Sequence, residues 1–274
     1  MSAANVAFCG MACLIRYTSE VNTFMTTLFR FIVGLGIIGA LAMTGRIRLT
    51  FVDKKGLFVR GFIGSVSVLI GFISIVKLGI IWASIIVYTY PIFATMFGMM
   101  LLKERPGFSR CLAITGALGG MVVLIVHGKG GDCSCHGAAL FKALAIAGSV
   151  LGGLTVVLVK KLQDTDSTPS IFFAQCLVGF WIMVVPASSV PLHCGLAGSA
   201  LLIAIGVLAT IGQLFSTEGF RYLSVTSGSV FTLTAPVLNL CAGALIFHEA
   251  FSAWSIVGGT IVLISSAFVV RRDA

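Results

Sequence analysis

Arg30 places a full positive charge inside "FMTTLFRFIVGLGII", a stretch otherwise apolar apart from two threonines. A guanidinium there needs a partner. It can be an anionic group bound as a bidentate pair, or helix-end carbonyls and headgroups reached by snorkelling. Glu218 has Arg221 three residues on, a spacing at which the two can pair on a helix; facing a cavity instead, Glu218 would be the best carboxylate for carrying a proton. The other polar groups within apolar runs are neutral. Ser84, Tyr88, Pro91 and Thr95 recur on one face of a helix, as do Ser229, Thr232, Pro236 and Asn239. Gln213 and Thr217 are one turn apart, and Gln175 stands alone. Such groups suit hydrogen bonding to a polar solute, or between neighbouring helices.

Chemistry of a harder kind finds little support. His127, His136, His193 and His248 are scattered near ends and loops, and they form no acid, base or nucleophile cluster of the kind a membrane-embedded enzyme needs. In "HGKGGDCSCHG", His127, Cys133, Cys135 and His136 invite a zinc reading, but Cys-x-Cys-His is tighter than common structural zinc spacings, and a linker is the better expectation. The chain has no Gly-x-x-x-x-Gly-Lys-Ser/Thr loop, so direct ATP coupling is not expected. No cofactor or resident metal is implied.

The elements that must hold these residues are membrane helices. The 274-residue chain is 58% hydrophobic and 10% charged, with mean hydropathy +1.10, far from a soluble domain. A net charge of +9 fits basic loops on one side of a bilayer better than nucleic-acid binding. Ten spans are expected, at 2–16, 23–43, 57–76, 80–102, 109–127, 137–159, 170–190, 197–219, 225–247 and 252–270. The first is short for a crossing, so it is tucked in or missing its start. With the N-terminus cytoplasmic, the basic residues Arg46, Arg48, Lys54, Lys55, Arg60, Lys103, Arg105, Arg110, Lys160, Lys161, Arg221, Arg271 and Arg272 all fall inside; Arg16, Lys77, Lys129 and Lys142 fall outside. Both termini are then cytoplasmic, in an inner or plasma membrane.

A second pattern organises the spans. A shift of 145 pairs Ser84 with Ser229, Thr89 with Thr234, Pro91 with Pro236, Gly98 with Gly243, Glu104 with Glu249, Thr115 with Thr260 and Leu118 with Leu263, without a gap. It moves the fourth span onto the ninth. Five is odd, so the halves must be inverted relative to each other, an arrangement that supplies inward-facing and outward-facing forms around one site. Pro91 should bend its helix and free the carbonyl of Val87, and Pro236 that of Thr232. Glu104 and Glu249 end equivalent helices on opposite faces, where they could latch alternate gates or simply sit solvated.

The motifs "LFRFIVG", "YTYPIFATMFGMMLLKE" with "GALGGMVVLIV", and "APVLNLCAGALIFHE" with "IVGGTIVLISSAFVV" give the chain a resemblance to the drug/metabolite transporter superfamily, in its ten-helix form with two EamA domains. The resemblance implies an all-α integral membrane protein with repeats at 2–127 and 137–272, joined by a 128–136 linker. It also implies a central cavity lined largely by helices 1, 3, 4, 6, 8 and 9, and a small-molecule substrate that these motifs do not name. The function expected is secondary transport of a small polar or amphipathic metabolite by alternating access, driven by a gradient or by exchange. On this reading Ser84, Tyr88, Thr95, Gln213, Thr217, Ser229, Thr232 and Asn239 bind substrate; Pro91, Pro236, Glu104 and Glu249 gate; and Arg30 and Glu218 are the charge or coupling candidates. The alternatives are a channel, which would neither saturate nor show counterflow, and an enzyme. Membrane lipids are the other expected partner, and oligomeric state is not legible.

Overall fold

Asn22 opens the second helix by accepting the Phe24 amide at 2.9 Å, and Asp53 opens the third by accepting that of Gly56, also at 2.9 Å. Gly79, at φ +83°, ends the third where a side chain would be strained. The computed structural model describes residues 1–103, 138–189 and 195–247 continuously, with scattered positions from 107 to 123 and from 254 to 268. The described elements are α1 (Ser2–Tyr17), α2 (Thr23–Met43), α3 (Lys54–Leu78), α4 (Ile80–Val87), α5 (Tyr90–Leu101), α6 (Ala138–Leu162), α7 (Thr168–Ser188), α8 (Leu196–Tyr222), α9 (Val225–Thr232) and α10 (Thr234–Ile246). Among the described residues, six stretches are long and apolar enough to cross a membrane: α2, α3, α6, α7, α8, and α9 with α10. Apolar side chains such as Met43, Trp181, Val185 and Leu245 point outward while Arg30, Arg60, Gln175 and Asn239 are buried, the inverse of a water-soluble surface.

The offset of 145 read from the sequence runs through the architecture. It carries α2 onto α7 and α4 onto α9 at both ends, α5 onto α10 within one residue, and α1 onto the last sixteen residues of α6. Packing follows the same exchange. α3 lies on α6 as α8 lies on α1, α2 on α8 as α7 on α3, and α5 on α6 as α10 on α1. The contacts repeat residue for residue in places. A side chain at Gly61 would meet Val178, and one at Gly206, its counterpart, would meet Val33, the counterpart of Val178. The molecule is therefore two inverted repeats of one helical unit. Most of the fifth span of each repeat, Glu104, Glu249 and the His127–His136 segment lie outside the described residues.

Two sequence expectations change. The fourth and ninth spans are not bent continuous helices; each is two short helices separated by a turn. A pyrrolidine ring clashes with the carbonyl four residues earlier, so Pro91 sits in the first turn of α5, where its missing amide costs nothing. Threonines repair the breaks identically. Thr89 donates its hydroxyl to the Ile86 carbonyl at 2.7 Å, and Thr234 to that of Phe231 at 3.1 Å. Each threonine is also held by the first helix of the other repeat: Thr89 by Ser149 of α6 at 2.8 Å, Thr234 by Asn5 of α1 at 2.5 Å. The second change is Arg60. Counted with the cytoplasmic-side charges, near the start of the expected 57–76 span, it lies about two turns inside α3 and is 1% exposed. The helix starts at Lys54, within "DKKG" and three residues before the expected span, which sets Arg60 nearly a turn deeper.

Helix ends are closed by long basic side chains. Lys160 donates to the carbonyls of Phe220, Arg221 and Leu223 at 2.9, 3.2 and 2.9 Å, and Arg16 reaches that of Val76 at 3.4 Å at the equivalent end of α3. Lys160→Met removes three charge-assisted bonds, so we expect about 1–2 kcal/mol of lost stability, read as a lower unfolding midpoint in detergent and largely restored by Lys160→Arg. An unchanged midpoint would show that solvent satisfies these carbonyls.

Candidate functional site

The breaks in the fourth and ninth spans meet near the centre of the molecule and leave a cavity of about 250 Å³ between the repeats. α1, α3, α4, α6 and α8 form most of its walls; α5, α9 and α10 contribute one residue each, Tyr90, Thr232 and Asn239, and so do α2 and α7, with Arg30 and Gln175. Those two positions are equivalent under the 145-residue repeat. The space is partly open and large enough to hold several waters or a small solute.

The two half-helix pairs touch across the cavity. Asn239 donates to the Ser84 hydroxyl at 2.8 Å, joining α10 to α4, and the Tyr90 hydroxyl bonds that of Thr232, joining α5 to α9. Tyr88 lines the same wall, its ring 6.2 Å from that of Tyr90. Gln213 donates to Thr217 at 3.3 Å along α8 and accepts from Arg30 at 3.5 Å.

Charge in the cavity is one-sided. Arg30 and Arg60 both line it, at 3% and 1% exposure, and no carboxylate does so among the described residues. Arg30 is packed between Phe31 and Phe72, its guanidinium carbon 5.8 Å from each ring centre. Its Nε is without a partner. Arg60 has buried Nε and Nη1 with no hydrogen bond. The end of its side chain and that of Gln175 lie over Gly64, where an added Cβ would stand 2.4 Å from Arg60 Nη1 and 3.0 Å from Gln175 Nε2. Gln175 Oε1 and Asn239 Oδ1 are also unpaired. Buried donors and acceptors left open in this way are costly, and in a cavity wall they are positions a ligand can fill.

Of the residues singled out from the sequence, Arg30, Ser84, Tyr88, Gln175, Gln213, Thr217, Thr232 and Asn239 come together on this cavity. Thr95 and Ser229 are buried outside its lining with unpaired hydroxyls, and Pro91 and Pro236 are buried at the starts of α5 and α10. Glu218 is turned away, about 100° around α8 from Thr217, and accepts from Thr168 at 2.6 Å with Arg221 3.7 Å away. Sequence reasoning missed Arg60 and Asn5. For Arg60 a signal existed: Arg60, Gly64, Ser67 and Gly71 fall on one helical face, a small and polar stripe that all lines the cavity.

Comparison with known proteins places this architecture. The model of the EamA-like transporter family matches residues 1–126 and again 141–271. The chain is 26% identical over 246 residues to the pseudopaline exporter CntI of Pseudomonas aeruginosa, covering 86% of this chain and 82% of that protein. It is 24% identical to solute carrier family 35 member G1 of Mus musculus, over 79% of this chain and 62% of that one. A riboflavin transporter of Vibrio cholerae is 25% identical over 70% of this chain and 63% of its own. A solved crystal structure superposes with TM-score 0.75 at 17% identity, over 99% of this chain and 97% of the other, a likeness of fold alone. With an inverted-repeat bundle and two matched copies of one family model, the chain is a multi-pass membrane protein belonging to the EamA-like transporter family.

Proposed function

We propose that this protein is a secondary carrier that moves a small polar or amphipathic metabolite by alternating access, with the central cavity as its binding site. One observation supports the reading above the others: the cavity sits where discontinuous helices of two inverted repeats meet, linked by Ser84–Asn239 and Tyr90–Thr232, bonds between elements that exchange places under the repeat. Ser84, Tyr88, Gln213, Thr217, Thr232 and Asn239 supply neutral hydrogen bonds to the solute, backed by Thr95 and Ser229. Breaks before Pro91 and Pro236 let half-helices tilt separately. Glu104 and Glu249 then latch opposite faces, and basic loops keep both termini cytoplasmic. The relatives' names cover different solutes, so chemistry of the cavity, rather than kinship, must identify this one.

The test is purified protein in liposomes preloaded with candidate metabolites. A carrier gives saturable uptake and counterflow; flux that neither saturates nor shows counterflow is that of a channel and overturns the reading. In the same assay Pro91→Ala or Pro236→Ala allows the helix to re-form across its break. Turnover should fall about tenfold with insertion unaffected, roughly 1.4 kcal/mol on the barrier. Wild-type turnover in both variants would remove the hinge role and leave the carrier intact.

A further inference from the structure

Resting on that carrier reading, we infer that the transported solute is a small organic dianion, a dicarboxylate or phosphate ester, clamped between Arg30 and Arg60. Two guanidinia reach one cavity from neighbouring helices, both buried, with unpaired nitrogens and no carboxylate in the lining among the described residues. An isolated buried charge is strongly disfavoured, and structural arginines at such depth pair with acids or carbonyls. Arg30 has only a long contact to Gln213 and two aromatic faces; Arg60 has none. No described residue supplies the compensating charge, and a bound anion would provide it. A monoanion would leave one cation over, whereas two negative charges a few atoms apart neutralise both.

The surroundings refine the class. A guanidinium presents a planar fork of donors that matches carboxylate or phosphate oxygens. Gln175 and Gln213 flank the arginines, and Ser84 and Asn239 offer hydroxyl and amide groups to a polar substituent. Phe8, Phe72 and Val156 supply apolar wall for a short carbon skeleton. The cavity of about 250 Å³ leaves room for a skeleton of a few carbons. Gly64 is a positioning residue here, because only the lack of a Cβ leaves room for the Arg60 guanidinium and the Gln175 amide side by side.

Binding is read in detergent by thermal unfolding, with succinate and glycerol 3-phosphate as probes and choline, glucose and matched sodium chloride as controls. Saturable stabilisation by either dianion is expected, with little from the controls. Arg30→Gln and Arg60→Gln should each require at least tenfold more probe; Arg60→Lys should fall between, since the charge remains and the fork does not. Gly64→Ala should weaken binding while keeping both charges. Stabilisation equal in wild type and both glutamine variants, or by sodium chloride alone, would overturn the proposal. Repeating the titration in phosphatidylcholine vesicles with and without phosphatidylglycerol separates a solute from a lipid headgroup: competition by the anionic lipid would make the occupant a headgroup and sink the solute assignment. The two readings fail separately. Dianion binding without counterflow defeats the carrier, while counterflow of a neutral or cationic solute unaffected by Arg60→Gln defeats the dianion.

Discussion

Uptake of radiolabelled succinate into liposomes that already contain a dicarboxylate should be at least tenfold faster than uptake into liposomes holding only sucrose and buffer. A carrier returns to its starting side either loaded or empty. The empty return must occlude a cavity holding Arg30 and Arg60 with no acid beside them among the described residues. Removing an ion from water costs several kcal/mol even after relaxation, and an unpaired charge pays it in full. Raising that barrier by about 3 kcal/mol slows the empty step by more than a hundredfold. A bound dianion removes the penalty, so exchange becomes the fast cycle and net flux the slow one. The double variant Arg30→Gln/Arg60→Gln should lose this dependence as well as the affinity. Equal uptake into empty and loaded liposomes would show that the cations are compensated in transit and that the protein is no obligate exchanger.

Gly179→Leu is expected to abolish folded, monodisperse protein, and Gly34→Leu to do nearly the same. The two glycines are equivalent under the repeat and sit where α2 crosses α7. A Cβ on Gly179 would stand 2.5 Å from the Phe31 ring and 2.6 Å from Ser65 Oγ; one on Gly34 would stand 2.8 Å from Cys176 Sγ. Phe31 and Cys176 are themselves counterparts, both wholly buried, so the clash cannot be relieved by a flexible tip. Overpacking a core by a few atoms costs about 1–3 kcal/mol, and a leucine at a backbone crossing adds several times that volume. Small residues are what allow membrane helices to approach this closely. Gly36→Leu supplies the control, since nothing lies within 4 Å of its Cβ position and the residue is exposed. Size-exclusion profiles of the three variants decide the matter: a normal profile for Gly179→Leu would mean that the helices can separate without cost.

How much of this was legible beforehand differs by residue. Ser84, Asn239 and Thr232 were found because polar residues at helical spacing in an apolar run are conspicuous, and because proline and glutamate recur at one offset. Both signals are local or periodic. Arg60 was hidden by the same local logic, since a charge close to "DKKG" reads as part of the basic helix end until the helix start is known. Glu218 was ambiguous for a related reason: one residue along a helix turns a side chain by about 100°, and only the neighbour at Thr168 says which way it faces.

Hydropathy, the 145-residue repeat and the odd number of spans were enough to make the chain a membrane protein of two inverted units, because each depends on residue type and order alone. Tertiary structure decided the rest. It split the proline helices in two, drew Arg30, Arg60 and Gln175 from three helices onto one cavity, and left their polar atoms unpaired. Whether a buried charge is satisfied is a property of what packs around it from distant parts of the chain, and no local pattern carries that information.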